Sequence, residues 1–409
     1  MNRQAPRLQA AAVRVDITPA DLTGLNPIGG GSFTGVHDPI FARVLYLSDE
    51  TTAVVLIAVD MIEVGDMEPL RVRIGAEVGL PTAHVIITAS HDHNAPRLGE
   101  VSPGALAHGG GPEQRAYSAW IYDRLVAATR QAKAGLRPAR LGFGTGTADV
   151  NVNRDIPGDD RWELGLNPGR ASDKTVSVLR VDDETGCPIA VWFCYGVHST
   201  VTLWTGLLCG DLAGAASRHV EEALGCVALF APGLLGDQAP QVSYEYASPA
   251  KKAEPEFAFR AAGSQGAALG AEVVRVAEAV EELRGDVDIR ASERVVACPI
   301  KRGEDVMSDM VQAAVSTVDL RLSLVRLGDI TLAGFNGEVV TKLGQTIRAE
   351  LPERAVVVSL VNDRIGYLVD DDAYRLNTFE ARGCPVARGE VEPAVLDSLR
   401  QLMGAATDV

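Results

Sequence analysis

Apolar and polar positions recur along this chain with two spacings, one near 2 and one near 3.6, and each change of spacing marks a new element. VRVDIT (13–18) alternates as a short strand and runs into the glycine-rich loop IGGGSFTGVHDP. ARVLYLSDETTAVVLIAVDM (42–61) reads as two strands around the turn Asp49-Glu50-Thr51, the second ending on Asp60. HVIIT (84–88) is another β-branched strand, and the turn-forming Asn94-Ala95-Pro96 follows it. PEQRAYSAWIYDRLVAATRQAKAG shifts to helical spacing and stops at Gly135. LGFGTGTADVNVNR and VSVLRVDD return to strand spacing with turn residues between them.

The centre of the chain repeats strand then helix. PIAVWFCYGVHS is strand-like, Asp211 is placed to cap the helix LAGAASRHVEEAL, and Gly225 ends it. CVALFAPG is a strand leading into the loop GLLGDQAPQV, and an alanine-rich helix covers 262–283. RLSLVRLGDITLAGFNGE forms a hairpin turning at Gly328-Asp329. VVTKLGQTIRAEL is a helix with Glu338 at its mouth, AVVVSLVN is the last clear strand, and 393–404 is the last helix. This order predicts an α/β fold, a mixed sheet flanked by helices. No Gly/Ser-rich, Pro-rich or charged linker divides it, so one large catalytic domain over 11–405 is expected. The stretch 285–325 has room for a small subdomain.

Composition narrows the function. Lys+Arg 38 against Asp+Glu 54 gives a net charge of −16, with no basic stripe, which disfavours nucleic acid as a partner and suits divalent cations. No apolar run approaches the ~20 residues that cross a bilayer, and no apolar core precedes Asp16 as a signal peptide requires. The six cysteines (187, 194, 209, 226, 298, 384) lack CxxC spacing, and several fall in apolar runs as reduced core residues. A cytoplasmic enzyme acting on a small molecule, without stable membrane association, is the expectation.

The candidate chemistry lies at strand ends. His91 follows HVIITAS, with His93 two residues on; His198 follows VWFCYGV, Glu338 follows ITLAGFNG, and Tyr367 follows VVVSLVNDRIG. Sites in α/β sheets assemble outside the carboxyl ends of strands, so these distant residues can converge. Two neutral imidazoles and a carboxylate suit zinc with an open position for water or substrate. Each residue also has a structural explanation: His198 as a satisfied core histidine, Glu338 as a first-turn acid at a helix dipole, Tyr367 as a packed aromatic. Asp211 and Asp60 divide in the same way between structural and site roles. Trp162 fits packing as well as a substrate platform, and His37 and His108 in glycine loops read as surface histidines.

Taken in order, these segments resemble the neutral, non-lysosomal ceramidase family of zinc amidohydrolases. AAVRVDITP resembles that family's opening, and GVHDPIFARVLYL its next block. SHDHNAP resembles the Thr-His-Thr-His-Ser-Gly-Pro metal motif, NVNR the Asn-Arg element, and YGVHST with CGDLAG the second histidine block and its sequel. APGLLGDQAP resembles the Gly-Asp-Val-Ser-Pro-Asn loop, NGEVVTKLG the Pro-Gly-Glu block, and NDRIGYLVDDDAY the tyrosine block. The blocks keep their order from residue 11 to about 380. The resemblance implies the fold of the family's N-terminal catalytic domain and one zinc ion per chain held by His91, His198, Glu338 and Tyr367. It sets His93 and Arg154 beside the metal or substrate, where they would stabilise a tetrahedral oxyanion. The bound ion would polarise a carbonyl and lower the pKa of water toward ~7. A carboxylate must then carry the proton to the leaving group, and Asp92, Asp237 and Asp211 are the candidates.

The sequence departs from the family in ways that bear on substrate. Ala239 stands where ceramidases place the serine proposed as nucleophile, Phe379 stands for a second active-site tyrosine, and Asp92 and Asn94 replace threonine and serine. The chain also stops where ceramidases continue into a C-terminal β-rich domain. These departures favour metal-activated water cleaving an amide, ester or lactone of a small polar metabolite over ceramide hydrolysis. Two other readings fit part of the pattern. His91, His198 and Glu338 match the two-histidine, one-carboxylate set of non-haem iron oxygen enzymes, although Tyr367 would fill a position those leave open. A catalytically silent relative that only binds a ligand is the other.

Overall fold

The computed structural model describes residues 8–26, 31–103, 105, 111–252, 254–302 and 315–405. Eight strands form the first sheet: β1 (Gln9–Asp16), β2 (Phe41–Ser48), β3 (Ala53–Val59), β4 (Val85–Ala89), β5 (Arg137–Thr147), β6 (Thr175–Asp183), β7 (Pro188–Tyr195) and β8 (Val227–Pro232), in the order β8-β7-β6-β5-β1-β2-β3-β4. It is mixed: β3 and β4 run parallel, as do β7 and β8, and the other pairs are antiparallel. Its two halves join through the short register Gln9↔Pro138 and Ala10↔Arg137, with Ala139 N donating to the Leu8 carbonyl at 2.8 Å. The sheet coils, so that β8 at one edge approaches β2, β3 and β4 at the other.

A second sheet of four strands, β9 (Ile289–Pro299), β10 (Thr317–Leu327), β11 (Ile330–Phe335) and β12 (Ala355–Val358), stacks on the first. The period-2 pattern explains the stacking. On β2, Val44 and Tyr46 face one core with β3 Val55 and Ile57, while Leu45 and Leu47 face another with Leu56 and Trp192. That second core also takes Val325, Leu332, Val356 and Val358 from the second sheet. A strand buried on both faces reads as a continuous apolar run, and AVVLIAV of β3 is one.

Helices cover the outer faces only. α1 (Glu68–Val78) and α2 (Pro112–Ala134) pack on β2–β4, and α3 (Asp211–Leu224) and α4 (Glu256–Ala279) pack on β6–β8. α5 (Thr341–Ala349) and α6 (Val391–Ala405) pack on the second sheet. The expected α/β architecture with a mixed sheet and flanking helices is therefore present as four layers, helix, sheet, sheet, helix. The stretch 285–325 supplies β9 and most of β10, whose inward residues Ile289 and Val325 share their core with the large sheet. Among the described residues no helix is long and apolar enough to cross a membrane.

Two local readings change. The alanine-rich helix starts at Glu256, one residue after Pro255, and ends at Ala279, because Val280 turns extended (φ −72, ψ 103). Asp211 does not cap α3. It is the helix's first residue, at φ 46, and its oxygens accept from Val201 N, Thr202 N and Thr202 Oγ1, which ties down the loop after His198.

Candidate metal centre

The carboxyl ends of β4 and β7 from one sheet meet those of β11 and β12 from the other. Asn362, beyond β12, pins the junction by exchanging hydrogen bonds with Ile87 of β4. His91 follows β4 with φ 60, a left-handed backbone that a non-glycine residue adopts at a cost of roughly 1–3 kcal/mol. That turn aims its ring at the junction. Its Nδ1–H donates to the Ile62 carbonyl at 2.7 Å, and His198 Nδ1–H donates to the carbonyls of Leu235 (2.9 Å) and Gln238 (3.0 Å). Both rings therefore turn an Nε2 lone pair inward, the arrangement seen behind metal-ligating histidines.

Glu338 completes the convergence. It is fully buried, and its Oε1 accepts from Arg364 Nε and Nη2 at 2.9 and 2.8 Å. Oε2 is left 3.3 Å from His91 Nε2 and 3.2 Å from His198 Nε2. Neither Glu338 Oε2 nor His198 Nε2 has a hydrogen-bond partner. Tetrahedral ligands at about 2.0–2.1 Å from zinc sit roughly 3.3 Å apart, so the donor spacing fits such an ion. Protonation states fit as well. Burial, then Arg154, pulls His198 down to about 3. Burial opposes ionisation of Glu338, but His91 and Arg364 hold it well below the usual carboxylate range.

His93 lies closer than a distant second-sphere position requires. Its Nε2 is 3.2 Å from His91 Nε2, and the ring nitrogens of His91, His93 and His198 all lie within 4.8 Å of one another. Burial, then the two neighbouring imidazoles, keeps His93 well below its ordinary value. Tyr367 pairs in parallel register with Glu338 in a two-stranded ladder, which puts the two on the same side of that ladder. Its hydroxyl accepts from Arg154 Nη2 at 3.0 Å, and burial, then Glu338, pushes the phenol well above its ordinary value. Gly236 makes room for this ladder: a Cβ there would stand 2.8 Å from the Glu338 carbonyl oxygen.

Arg154 is buried between Tyr367 and Glu380, donating Nε to Glu380 Oε1 at 2.8 Å. Next to it, Asp155 is pushed up to about 9 by burial and by the Glu380 charge, so it keeps its proton at neutral pH. Its unfolded value is about 3.9. The stability this group contributes is therefore fully present below about pH 4 and lost as pH rises toward 9. Asp155→Asn should accordingly gain stability relative to wild type between pH 5 and pH 9. Thermal unfolding at the two values checks this, and a melting difference that stays constant across them would refute the assignment.

The other carboxylates lie differently. Asp92 is fully buried, accepts from Asn94 N at 2.9 Å, and has Asp211, Asp60 and Asp38 as its charged neighbours rather than the imidazoles. Asp237 uses both oxygens: Oδ1 accepts from Thr341 N (2.9 Å), Thr341 Oγ1 (2.7 Å) and Gln238 Nε2 (3.1 Å), and Oδ2 accepts from Asn153 Nδ2 (2.9 Å). It fastens the Arg154 loop to the start of α5. Asp60 accepts from buried Arg43 at 3.0 Å. Trp162 lies under the Arg170 guanidinium at 4.7 Å, His37 pairs with Asp38 and stacks on Phe259, and His108 falls outside the described residues. Three residues that sequence reasoning did not single out, Arg364, Glu380 and Asp155, complete the surroundings. Arg364 carried a signal, a charge three residues before Tyr367 in the NDRIGY segment that follows the last apolar strand.

No protein-family model matches the chain. It is 26% identical over 263 residues to the neutral ceramidase of Pseudomonas aeruginosa, an alignment covering 56% of this chain and 37% of that protein. The crystal structure of neutral ceramidase from Pseudomonas aeruginosa superposes with a TM-score of 0.77 at 17% identity, covering 98% of this chain and 74% of that one. A ceramidase complexed with C2 gives a TM-score of 0.75 at 18% identity, with 97% and 76% covered.

Proposed function

We propose that this distant ceramidase-like protein is a zinc-dependent hydrolase that cleaves an amide, ester or lactone of a small metabolite. The observation that carries the reading is the meeting of His91 Nε2 and His198 Nε2 with Glu338 Oε2 at 3.3 and 3.2 Å, with Glu338 held well below the usual carboxylate range and neither Glu338 Oε2 nor His198 Nε2 bonded to another protein group. Such a donor set would hold zinc, with Tyr367 or His93 as a further ligand. When bound, the ion supplies Lewis-acid polarisation of a carbonyl and a nucleophile from water at neutral pH.

The chain's own residues do the rest. Arg154 offers a fixed cation beside Tyr367 for a developing oxyanion, held there by Glu380. His93 Nδ1 and Asp92 Oδ2 are both buried without a protein hydrogen-bond partner, so either could take up and return a proton, whereas the Asp237 oxygens are taken up by Thr341, Gln238 and Asn153. Ala239 is buried in the ladder that pairs it with Val152 and has no hydroxyl to attack with, which leaves water as the nucleophile.

Metal analysis of the purified protein should find zinc at about one per chain. Chelation should abolish turnover on a panel of small amides, esters and lactones, and added zinc should restore it. Ceramide should release little fatty acid. Iron with oxygen-dependent turnover, or a protein that takes up no metal, would overturn the proposal.

A further inference from the structure

Behind the ligand carboxylate runs a line of alternating charges. Arg364 donates twice to Glu338 Oε1, its Nη1 lies 3.0 Å from Glu63 Oε2, and Glu63 Oε1 accepts from Arg97 Nε at 2.6 Å. The Glu338 and Arg364 side chains are 0% and 5% exposed, and Arg97 at the far end is 15% exposed. The same stretch of chain serves both supports: the Ile62 carbonyl orients His91, and the next residue, Glu63, holds Arg364.

We propose that Arg364 is a positioning residue that sets how strongly Glu338 donates to the bound metal, with Glu63 setting how much of the Arg364 charge Glu338 feels. This rests on Glu338 being a metal ligand. Two physical effects follow from the geometry. The two-point grip occupies Oε1, so only Oε2 faces the imidazole nitrogens and Glu338 can bind through one oxygen alone. The guanidinium is also a full positive charge in direct contact with the only carboxylate among the donors. Ligand carboxylates are themselves hydrogen-bonded, and a neutral donor in this place would orient Glu338 while leaving most of its charge toward the ion. A cation compensates that charge, and in a buried site the compensation is weakly screened. A bound ion would then be held less tightly and would keep more of its own charge for polarising a substrate. Glu63 works in the opposite sense, because it draws Arg364's charge away from Glu338.

The two residues therefore predict opposite signs. In a competition titration of Zn²⁺ against a chelating dye with the full-length protein, Arg364→Gln should bind zinc about tenfold more tightly than wild type. Glu63→Gln should bind it about tenfold more weakly, and Arg364→Lys, which keeps the charge, should stay near wild type. Damage to the fold or simple loss of orientation would weaken both charge-removing variants together, so a shift in the same direction, or none in either, overturns the proposal. If Arg364→Gln fails to fold, Glu63→Gln against Arg364→Lys still decides: weaker against unchanged supports it, and any other pattern overturns it. A wild type that binds no Zn²⁺ overturns the metal centre itself, whereas a wild type that binds while the variants move together overturns this inference alone.

Discussion

His198→Ala is expected to fold, lose its zinc on dialysis and show no measurable turnover. Zinc sites with four protein ligands bind with about 10–16 kcal/mol, so one lost ligand forfeits roughly 3 kcal/mol, a hundredfold or more in affinity. The imidazole also donates to the Leu235 and Gln238 carbonyls, whose loss of a partner in a fully buried place costs about 1–3 kcal/mol. A large domain tolerates that loss, so a folded, metal-free protein is the outcome to look for. His91→Ala should behave alike, with one difference: alanine removes the ring but keeps the φ 60 backbone that was adopted to aim it. Zinc content by elemental analysis, with a melting curve as the control for folding, decides the matter. A variant that retains stoichiometric zinc and activity would show that the ion, if bound, sits elsewhere.

The strands that deliver these side chains were legible because they are short, continuous apolar runs bounded by turn residues, buried along almost their whole length. VIITA and PIAVWFCY both end where a histidine follows. What such a run does not record is the partner of each face. AVVLIAV announces a strand buried on both sides, but nothing local says that one side meets helices and the other a second sheet contributed mostly by residues after 288. The same limit applies to charges. Arg364 and Glu63 are 301 positions apart and read as ordinary polar residues until the fold brings their side chains within 3.0 Å. Asp92 and Asp237 were singled out by residue type near the motif. Their surroundings follow from tertiary structure: a strand-like alternation that turns Asp92 away from its flanking histidines, and donors from Thr341 and Asn153 that take up the Asp237 oxygens. Asp211 stood where a cap belongs, but it hydrogen-bonds backward to 201–202 because the loop after His198 has no other anchor for those amides.

Arg154→Ala should lower kcat by about 10²–10³ while leaving zinc bound and KM within a few-fold, which is the usual effect of removing one oxyanion donor. The guanidinium bridges Glu380 and Tyr367, with Nε on the first and Nη2 on the second, and its carbon lies 5.7 and 5.8 Å from the Tyr367 and Phe379 ring centres. That wedge fixes where the positive charge sits relative to the candidate metal ligands. Arg154→Lys should not restore the rate, because an ammonium on a flexible stem cannot hold both anchors at once and has no planar face to lie between the rings. Steady-state kinetics on whichever small substrate turns over, with zinc content measured on the same preparations, separates the alternatives. A rate within twofold of wild type would remove Arg154 from the chemistry. Loss of zinc in parallel with rate would instead make it a support for Tyr367. The surroundings favour the predicted loss of kcat with zinc retained: Asp155 keeps its proton, and Arg154 is gripped at 2.8 Å by Glu380, so the cation is held toward the site.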